Sequence, residues 1–265
     1  MTAENNYSDL IDKLADGIGK LTSSDGWQNY LDFQSRFHCY SYGNVLLIAA
    51  QRHEATRVAG FNAWRKLDRP VRKGEKAIWI LAPVVYKNAD IEDDGDQHRI
   101  VRGFRRVPVF DVAQTDGEEL PSAGTRLDGD DPLGVYAKLV TFAESIGFAV
   151  EDYRFPGATN GECSHGEHRI RVAVCNSPAQ RVKTLAHELA HAQLHQRFEH
   201  RALAELEAES TAYVVCRALG IDSSDYSFGY VAAWAGGDAE AVVGIKASCE
   251  RIQKTSATIL RCFEV

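Results

Sequence analysis

The sequence predicts an α+β protein in two parts, on three observations. Apolar residues recur at helical spacing through the first fifty residues; two short runs rich in β-branched and aromatic residues follow; and beyond an acidic stretch most of the remaining chain is again at helical spacing, with one short strand. N-terminal helices with a small antiparallel sheet, then a mostly helical domain with a short edge-strand sheet, satisfy that order. A chain of 265 residues with 45% hydrophobic content is long enough for two cores. The expected division is residues 1–120 and 133–265, joined by a linker over 121–132.

Each element has its own warrant. Leu10, Ile11, Leu14, Ile18 and Leu21 set one helical face, and Trp27, Tyr30, Leu31 and Phe37 a second. A third helix runs from Asn44 to Gln51. Ala77 to Tyr86 and Arg102 to Phe110 read as strands, with the acidic segment Asn88 to His98 as the hairpin tip or loop between them. From Gln114 to Pro132, Asp, Glu, Gly, Ser and Pro prevail over large apolar residues, the composition of a linker. A helix (Leu133 to Ile146), irregular sequence (Tyr153 to His168), a strand (Arg169 to Val174), two helices, a turn region near Gly220 to Gly237 and a last helix (Asp238 to Phe263) complete the order.

Charge and composition exclude several classes. No window carries the ~18 uninterrupted apolar residues of a membrane span, and the N-terminus is polar and acidic rather than a signal sequence. Six scattered cysteines without a Cys-x-x-Cys pair read as reduced thiols. A cytoplasmic protein with no membrane partner is therefore expected. The net charge of −7 argues against a protein that coats nucleic acid over its whole surface, yet Trp27 to Asn88 carries a local +6 and the remainder −13. That asymmetry points to an anion-binding patch.

The chemistry concentrates in the segment Asn176 to His195. Ser177, Pro178 and Gln180 form a helix start, and Val182, Leu185, Ala186, Leu189 and Leu194 continue at helical spacing. His187 and His191 then stand one turn apart on one face, the geometry by which two imidazoles hold one Zn²⁺. Glu188 lies beside them as the candidate general base. A catalytic zinc needs a third protein ligand and an open position. Downstream, Glu205 and Glu209 share a helical face with Glu207 turned away. With Glu205 as the third ligand, Glu209 falls where it can hydrogen-bond a liganding imidazole. His195 and His200 are read as structural, and Cys163, His165 and His168 as loop residues. Such a gluzincin-like site hydrolyses peptide bonds: the ion polarises a water, Glu188 takes its proton, and an extended peptide pairs with the strand Arg169 to Val174.

The pair TLAHELAHAQLH and ELEAESTAY resembles the ImmA/IrrE metallopeptidases over roughly residues 133–220. That resemblance implies ligands at His187, His191 and Glu205 and a catalytic Glu188; where the family commonly has Asn or Asp, this chain has Glu209. In the N-terminal part, Phe37-x-x-Tyr-Ser-x-x-Asn44, Gln51, Val58-x-Gly60, Trp64, Arg69-x-Val-x-Lys-Gly-Glu75 and Ile80-Leu-x-Pro83 are similar to the N-terminal domain of the ArdC antirestriction proteins. This likeness implies binding of single-stranded DNA, with Tyr40, Ser41, Asn44, Arg69, Arg72, Lys73 and Lys76 near the strand, in a protein of a mobile element or phage.

The resulting expectation is a zinc-dependent metallopeptidase (Zn²⁺, with Mn²⁺ as the other candidate) joined to a single-stranded DNA-binding domain. Its partners would be single-stranded DNA and a peptide or protein substrate such as a regulator or restriction component. Two other readings stand beside it. One is a DNA-binding antirestriction protein whose metal site is structural and not proteolytic. The other is an interaction module whose basic part binds an acidic protein.

Overall fold

The computed structural model describes residues 3–87, 99–118, 132–196, 200–221 and 239–264. The chain divides into two compact units. The first comprises Met1–Gly17 and Gly43–Glu119, and the second Ile18–Tyr42 and Leu120–Val265. The expected hairpin tip (88–98) and turn region (222–237) lie outside the described residues, as does most of the expected linker.

In the first unit, the part of α1 (Ala3–Lys20) up to Gly17 packs on the part of α3 (Tyr42–Gln51) from Gly43, with Leu14 against Gly43 and Leu46 against Gly17. A three-stranded antiparallel sheet follows in the order β1 (Val58–Gly60), β3 (Arg99–Asp111), β2 (Ile78–Lys87), and the short helix α4 (Phe61–Lys66) leaves the end of β1. Side chains alternate across a strand, and the register pairs Ile78 with Val109 and Ile80 with Val107. Ile78, Ile80, Val109 and Val58 form the buried face. The outer edge of β2 is closed by side chains of α3. Asn44 accepts from Leu81 N–H and donates to its carbonyl, both at 2.9 Å, and Gln51 does the same at Trp79, at 3.0 and 2.8 Å.

In the second unit, α5 (Pro132–Ser145), α6 (Pro178–Leu194), α7 (Arg201–Ala218) and α8 (Ala239–Leu260) enclose a core of Leu139, Leu185, Leu189, Val214, Ile245 and Ile252. A small mixed sheet has the order β4 (Ala149–Tyr153), β6 (Arg169–Ala173), β5 (Gly161–Ser164), with β4 parallel and β5 antiparallel to β6. Helix α7 ends where Gly220 adopts φ +74°, a left-handed stop that lets Ile221 N–H reach the Cys216 carbonyl at 2.9 Å.

Helix α2 (Ser24–Arg36) belongs to this second unit, although a division at residue 120 assigns it to the first. Its fully buried Trp27 donates from Nε1 to Ser210 Oγ of α7 at 3.0 Å. Asp32 accepts from the Tyr213 hydroxyl at 2.8 Å and from Arg217 at 3.1 Å. Among the described residues no helix is long and apolar enough to cross a membrane, and all six cysteines are free thiols.

Candidate metal centre

The centre stands on two adjacent helices of the second unit. Ser177 caps α6, its hydroxyl accepting from Gln180 N–H, and Pro178 occupies the first turn. Val182, Leu185, Ala186 and Leu189 bury one side of the helix against the core. His187 and His191 are thereby brought to the side facing α7, which presents Glu205 and Glu209 one turn apart.

Three ligand-type atoms converge there. His187 Nε2 and His191 Nε2 are 3.0 Å apart, and Glu205 Oε2 is 3.4 Å from the first and 3.7 Å from the second. Donors bonded at about 2.0–2.1 Å to one tetrahedral ion stand about 3.3 Å apart, so the cluster has the dimensions of a three-ligand site. Two imidazoles and one carboxylate suit zinc and neighbouring divalent ions.

The remaining ring nitrogens are each engaged. His187 Nδ1 lies 3.0 Å from Glu209 Oε2. His191 Nδ1 lies 3.0 Å from His195 Nδ1, and His195 Nε2 lies 3.3 Å from Glu207 Oε2. Glu207 is 1% exposed and also accepts from Ser248 and Arg251 of α8. Sequence reasoning passed over His195 and Glu207. The available signal was that His187, His191 and His195 recur every four residues and so share a face.

Titration follows from these surroundings. Burial opposes a charged His187, but the carboxylates of Glu205 and Glu209 outweigh it and push the imidazole up to about 10. Burial, with positive His187 alongside, pushes His191 down to about 4. Hydrogen bonding to His187 holds Glu205 below the usual carboxylate range. Burial also works against ionised Glu207, but hydrogen bonds from His195, Arg251 and Ser248 bring it down to about 2.

Glu188 is 7% exposed, and burial pushes it up to about 7, within range of a proton acceptor near neutrality. Gly161 of β5 lies directly over it: a Cβ there would stand 2.7 Å from Glu188 Oε1 and 2.5 Å from Thr184 Cγ2. Two cavities of about 330 and 450 Å³ meet at Gly161, His187 and Glu188. Cys163, two residues along β5, lines the larger one, and burial pushes its thiol up to about 12. His165 and His168 instead pack on the Phe148 ring, at 5.7 and 5.4 Å. His200 is exposed.

The strand expected to receive a peptide, Arg169 to Val174, is corrected. Residues 169–173 form β6, the middle strand, whose two edges are taken by β4 and β5. The strand beside Glu188 is β5, an outer strand of the sheet among the described residues, too short and irregular in pattern to be read as a strand from sequence.

The residues expected near DNA are divided between the units. Tyr40 and Ser41 lie in the second, and Asn44, Arg69, Arg72, Lys73 and Lys76 in the first. Asn44 holds the edge of β2, as described. Arg69 is 8% exposed, with Nε donating to Thr115 at 3.0 Å and a guanidinium N–H to the Glu118 carbonyl. Arg72 bonds Glu75 at 2.8 Å and the carbonyls of Ala113 and Thr115. Both arginines thus fasten their loop, whereas Lys73 and Lys76 are exposed.

Two family models match successive parts of the chain. Residues 4–110 match the family model for the N-terminal domain of anti-restriction factor ArdC, and residues 139–216 that of the IrrE N-terminal-like domain (Peptidase M78). The fold resembles the crystal structures of the antirestriction ArdC protein from plasmid R388. The metal-free form aligns with TM-score 0.50 and 22% identity over 84% of this chain and 85% of that one. The Mn(II)-bound form aligns with TM-score 0.50 and 21% identity over 84% of each. An uncharacterised protein of Bacillus anthracis is 25% identical over 85% of this chain. The chain spans about half the length of that curated relative, 46%.

Proposed function

Because the chain joins an ArdC N-terminal domain to an IrrE-like domain of a metallopeptidase family, we propose that it is a zinc-dependent metallopeptidase coupled to a single-stranded DNA-binding domain and serving antirestriction. The observation that carries the peptidase reading is the convergence of His187, His191 and Glu205 beside a buried Glu188. A purely structural ion has no use for a proton acceptor with a raised pKa at the mouth of a cleft.

His187, His191 and Glu205 would hold the ion. When bound, a divalent cation acts as a Lewis acid that polarises a carbonyl and makes water a nucleophile near neutral pH. Glu188 accepts the proton of the attacking water and returns it to the departing amide nitrogen, a shuttle favoured by a pKa of about 7. Glu209 and His195 orient the two imidazoles. The outer edge of β5 offers main-chain pairing to an extended peptide, with its carbonyl directed to the cleft over Glu188. Two nitrogen donors and one carboxylate favour zinc; the ArdC protein from plasmid R388 is described in a Mn(II)-bound form, and manganese is the competing ion. Free thiols fit a reducing compartment, the cytoplasm.

The test is metal content, peptide cleavage and single-stranded DNA binding by the wild type, Glu188→Gln and Glu205→Ala. The expected pattern is stoichiometric metal lost only in Glu205→Ala and cleavage lost in both. Metal bound without cleavage by any variant, alongside intact DNA binding, would establish instead a DNA-binding antirestriction protein with a structural ion.

A further inference from the structure

The sheet β1-β3-β2 has a second face, opposite the one that Ile78, Ile80 and Val109 bury. Strand alternation places Trp79, Leu81 and Pro83 of β2 on it, opposite Pro108, Arg106 and Phe104 of β3. Past the irregularity at Val84/Val85, Val85 pairs with Val101 on the same side. Phe110 stands at the other end, its ring 6.4 Å from that of Phe61. This face is open to solvent. Phe104 is 55% exposed, Phe61 48%, Val101 52% and Val85 42%, four of the large apolar side chains left uncovered in this unit.

Its charge is one-sided. Alternation places Arg106 among the residues of this face, and exposed Arg102 stands at the irregularity between Gly103 and Val101, against a single carboxylate on β3, Asp111. Asp111 is 1% exposed and accepts from the backbone N–H groups of Thr56, Arg57 and Ala113. Arg106 lies over the Trp79 ring at 4.1 Å, and among the described residues its Nε has no hydrogen-bond partner. Two exposed rings, Phe104 and Phe61, with an arginine stacked on Trp79 between them, on a protein of net charge −7, fit a flexible polyanion with flat apolar groups.

We propose that this sheet face is where single-stranded nucleic acid lies, with bases stacked on Phe104, on the Arg106–Trp79 pair and on Phe61, and phosphates beside Arg106 and Arg102 of β3. The assignment rests on the reading that the first unit binds single-stranded DNA. It moves the main contact from the loop Arg69–Lys76, whose two arginines are engaged internally, to a surface that shows in sequence only as strand alternation. Duplex, whose bases are stacked inward, offers the rings nothing comparable.

The experiment is fluorescence anisotropy of labelled oligothymidylate with the full chain, in a salt series, with circular dichroism to monitor folding. Phe104→Ala and Phe61→Ala, both at exposed positions, are expected to weaken binding about tenfold each, in line with the loss of one stacked base. Phe104→Tyr should retain the wild-type affinity. Arg106→Ala should also lower the slope of log affinity against log salt by about 1. Tight binding by the wild type left unchanged in both phenylalanine variants, or weakened only by Lys73→Ala and Lys76→Ala, would overturn the assignment. Equal affinity for duplex would overturn base stacking. Absence of binding by the wild type would remove the single-strand reading itself, a result distinct from the other two.

Discussion

His191 and His195 meet Nδ1 to Nδ1 at 3.0 Å, one turn apart on α6. If His191 offers its Nε2 lone pair to an ion, its proton resides on Nδ1 and is donated to His195. The proton of His195 then sits on Nε2 and is donated to Glu207, which Arg251 and Ser248 hold ionised. One arrangement of protons therefore satisfies the whole chain, and it selects the tautomer of His191 that can bind metal.

His195→Ala removes that selection while leaving the three ligands intact. Metal affinity should fall about tenfold to a hundredfold, the usual cost of losing an orienting partner. Titration against a chelating indicator measures it. An unchanged affinity would make His195 a packing residue only.

Metal binding should also be proton-linked through His187. Its pKa of about 10 means that the metal-free imidazole is charged at neutral pH, and an ion must displace that proton. Apparent affinity is therefore expected to rise by about one decade per pH unit from about pH 6 to 9. Glu209→Gln removes a carboxylate that stabilises the charged ring, so the dependence should flatten at its upper end. The indicator titration repeated across pH gives the slope.

Gly161→Ala tests the contact between β5 and Glu188. The new methyl group would stand 2.5 Å from Thr184 Cγ2 and 2.7 Å from Glu188 Oε1, so the carboxylate or the strand must shift. A misplacement of about 1 Å at a reacting group costs on the order of a hundredfold in rate. Metal content, which depends on α6 and α7, should stay stoichiometric while turnover of any cleaved peptide drops. Loss of metal together with turnover would mean that the strand carries the ligand helices with it.

The parts of this centre legible in the sequence are those set by local rules. The Ser177–Pro178 start and the spacing of His187 and His191 lie within one helix, and Glu205 follows in the next helix after a short connection. What escaped depends on pairings distant in sequence. Glu207 reads as a polar position on α7 until Arg251, 44 residues on, folds over it. Trp27 and Ser210 are 183 residues apart, so nothing local reveals that α2 packs with α7. Strands β4 and β5 show no regular alternation of buried and exposed positions, and which strand is the edge is fixed only by their pairing to β6.

Asn44 and Gln51 give a stability prediction in the first unit. Each uses its amide to replace the neighbour that β2 lacks on its outer edge. Asn44→Ala leaves the N–H and carbonyl of Leu81 without these partners in a part-buried position, at a cost of about 1–3 kcal/mol. Asn44→Asp keeps the acceptor for Leu81 N–H but sets a carboxylate oxygen against the Leu81 carbonyl, and should cost at least as much. Denaturant midpoints for the two variants provide the comparison, and an aspartate variant as stable as the wild type would contradict the pairing.

Glu188 makes the metal-free protein depend on pH with a definite sign. Its carboxyl is pushed from the ordinary 4.5 up to about 7 in the folded chain, so between those values the native state holds a proton that the unfolded state has released. Stability from this group is therefore complete below about pH 4, declines as pH rises through 4.5 to 7, and stays at its lower level above. Glutamine cannot ionise, so Glu188→Gln should match the wild type at about pH 4 and exceed it by up to about 3 kcal/mol at about pH 8. Nearly complete burial leaves little solvent screening to reduce the figure, and contributions common to both proteins cancel in the difference. Chemical denaturation of both proteins in chelator at the two pH values measures it. Adding metal should narrow the gap, because a cation held by His187, His191 and Glu205 favours the ionised carboxylate. A difference already present at the acidic value would assign the effect to packing of the amide instead of to the buried charge.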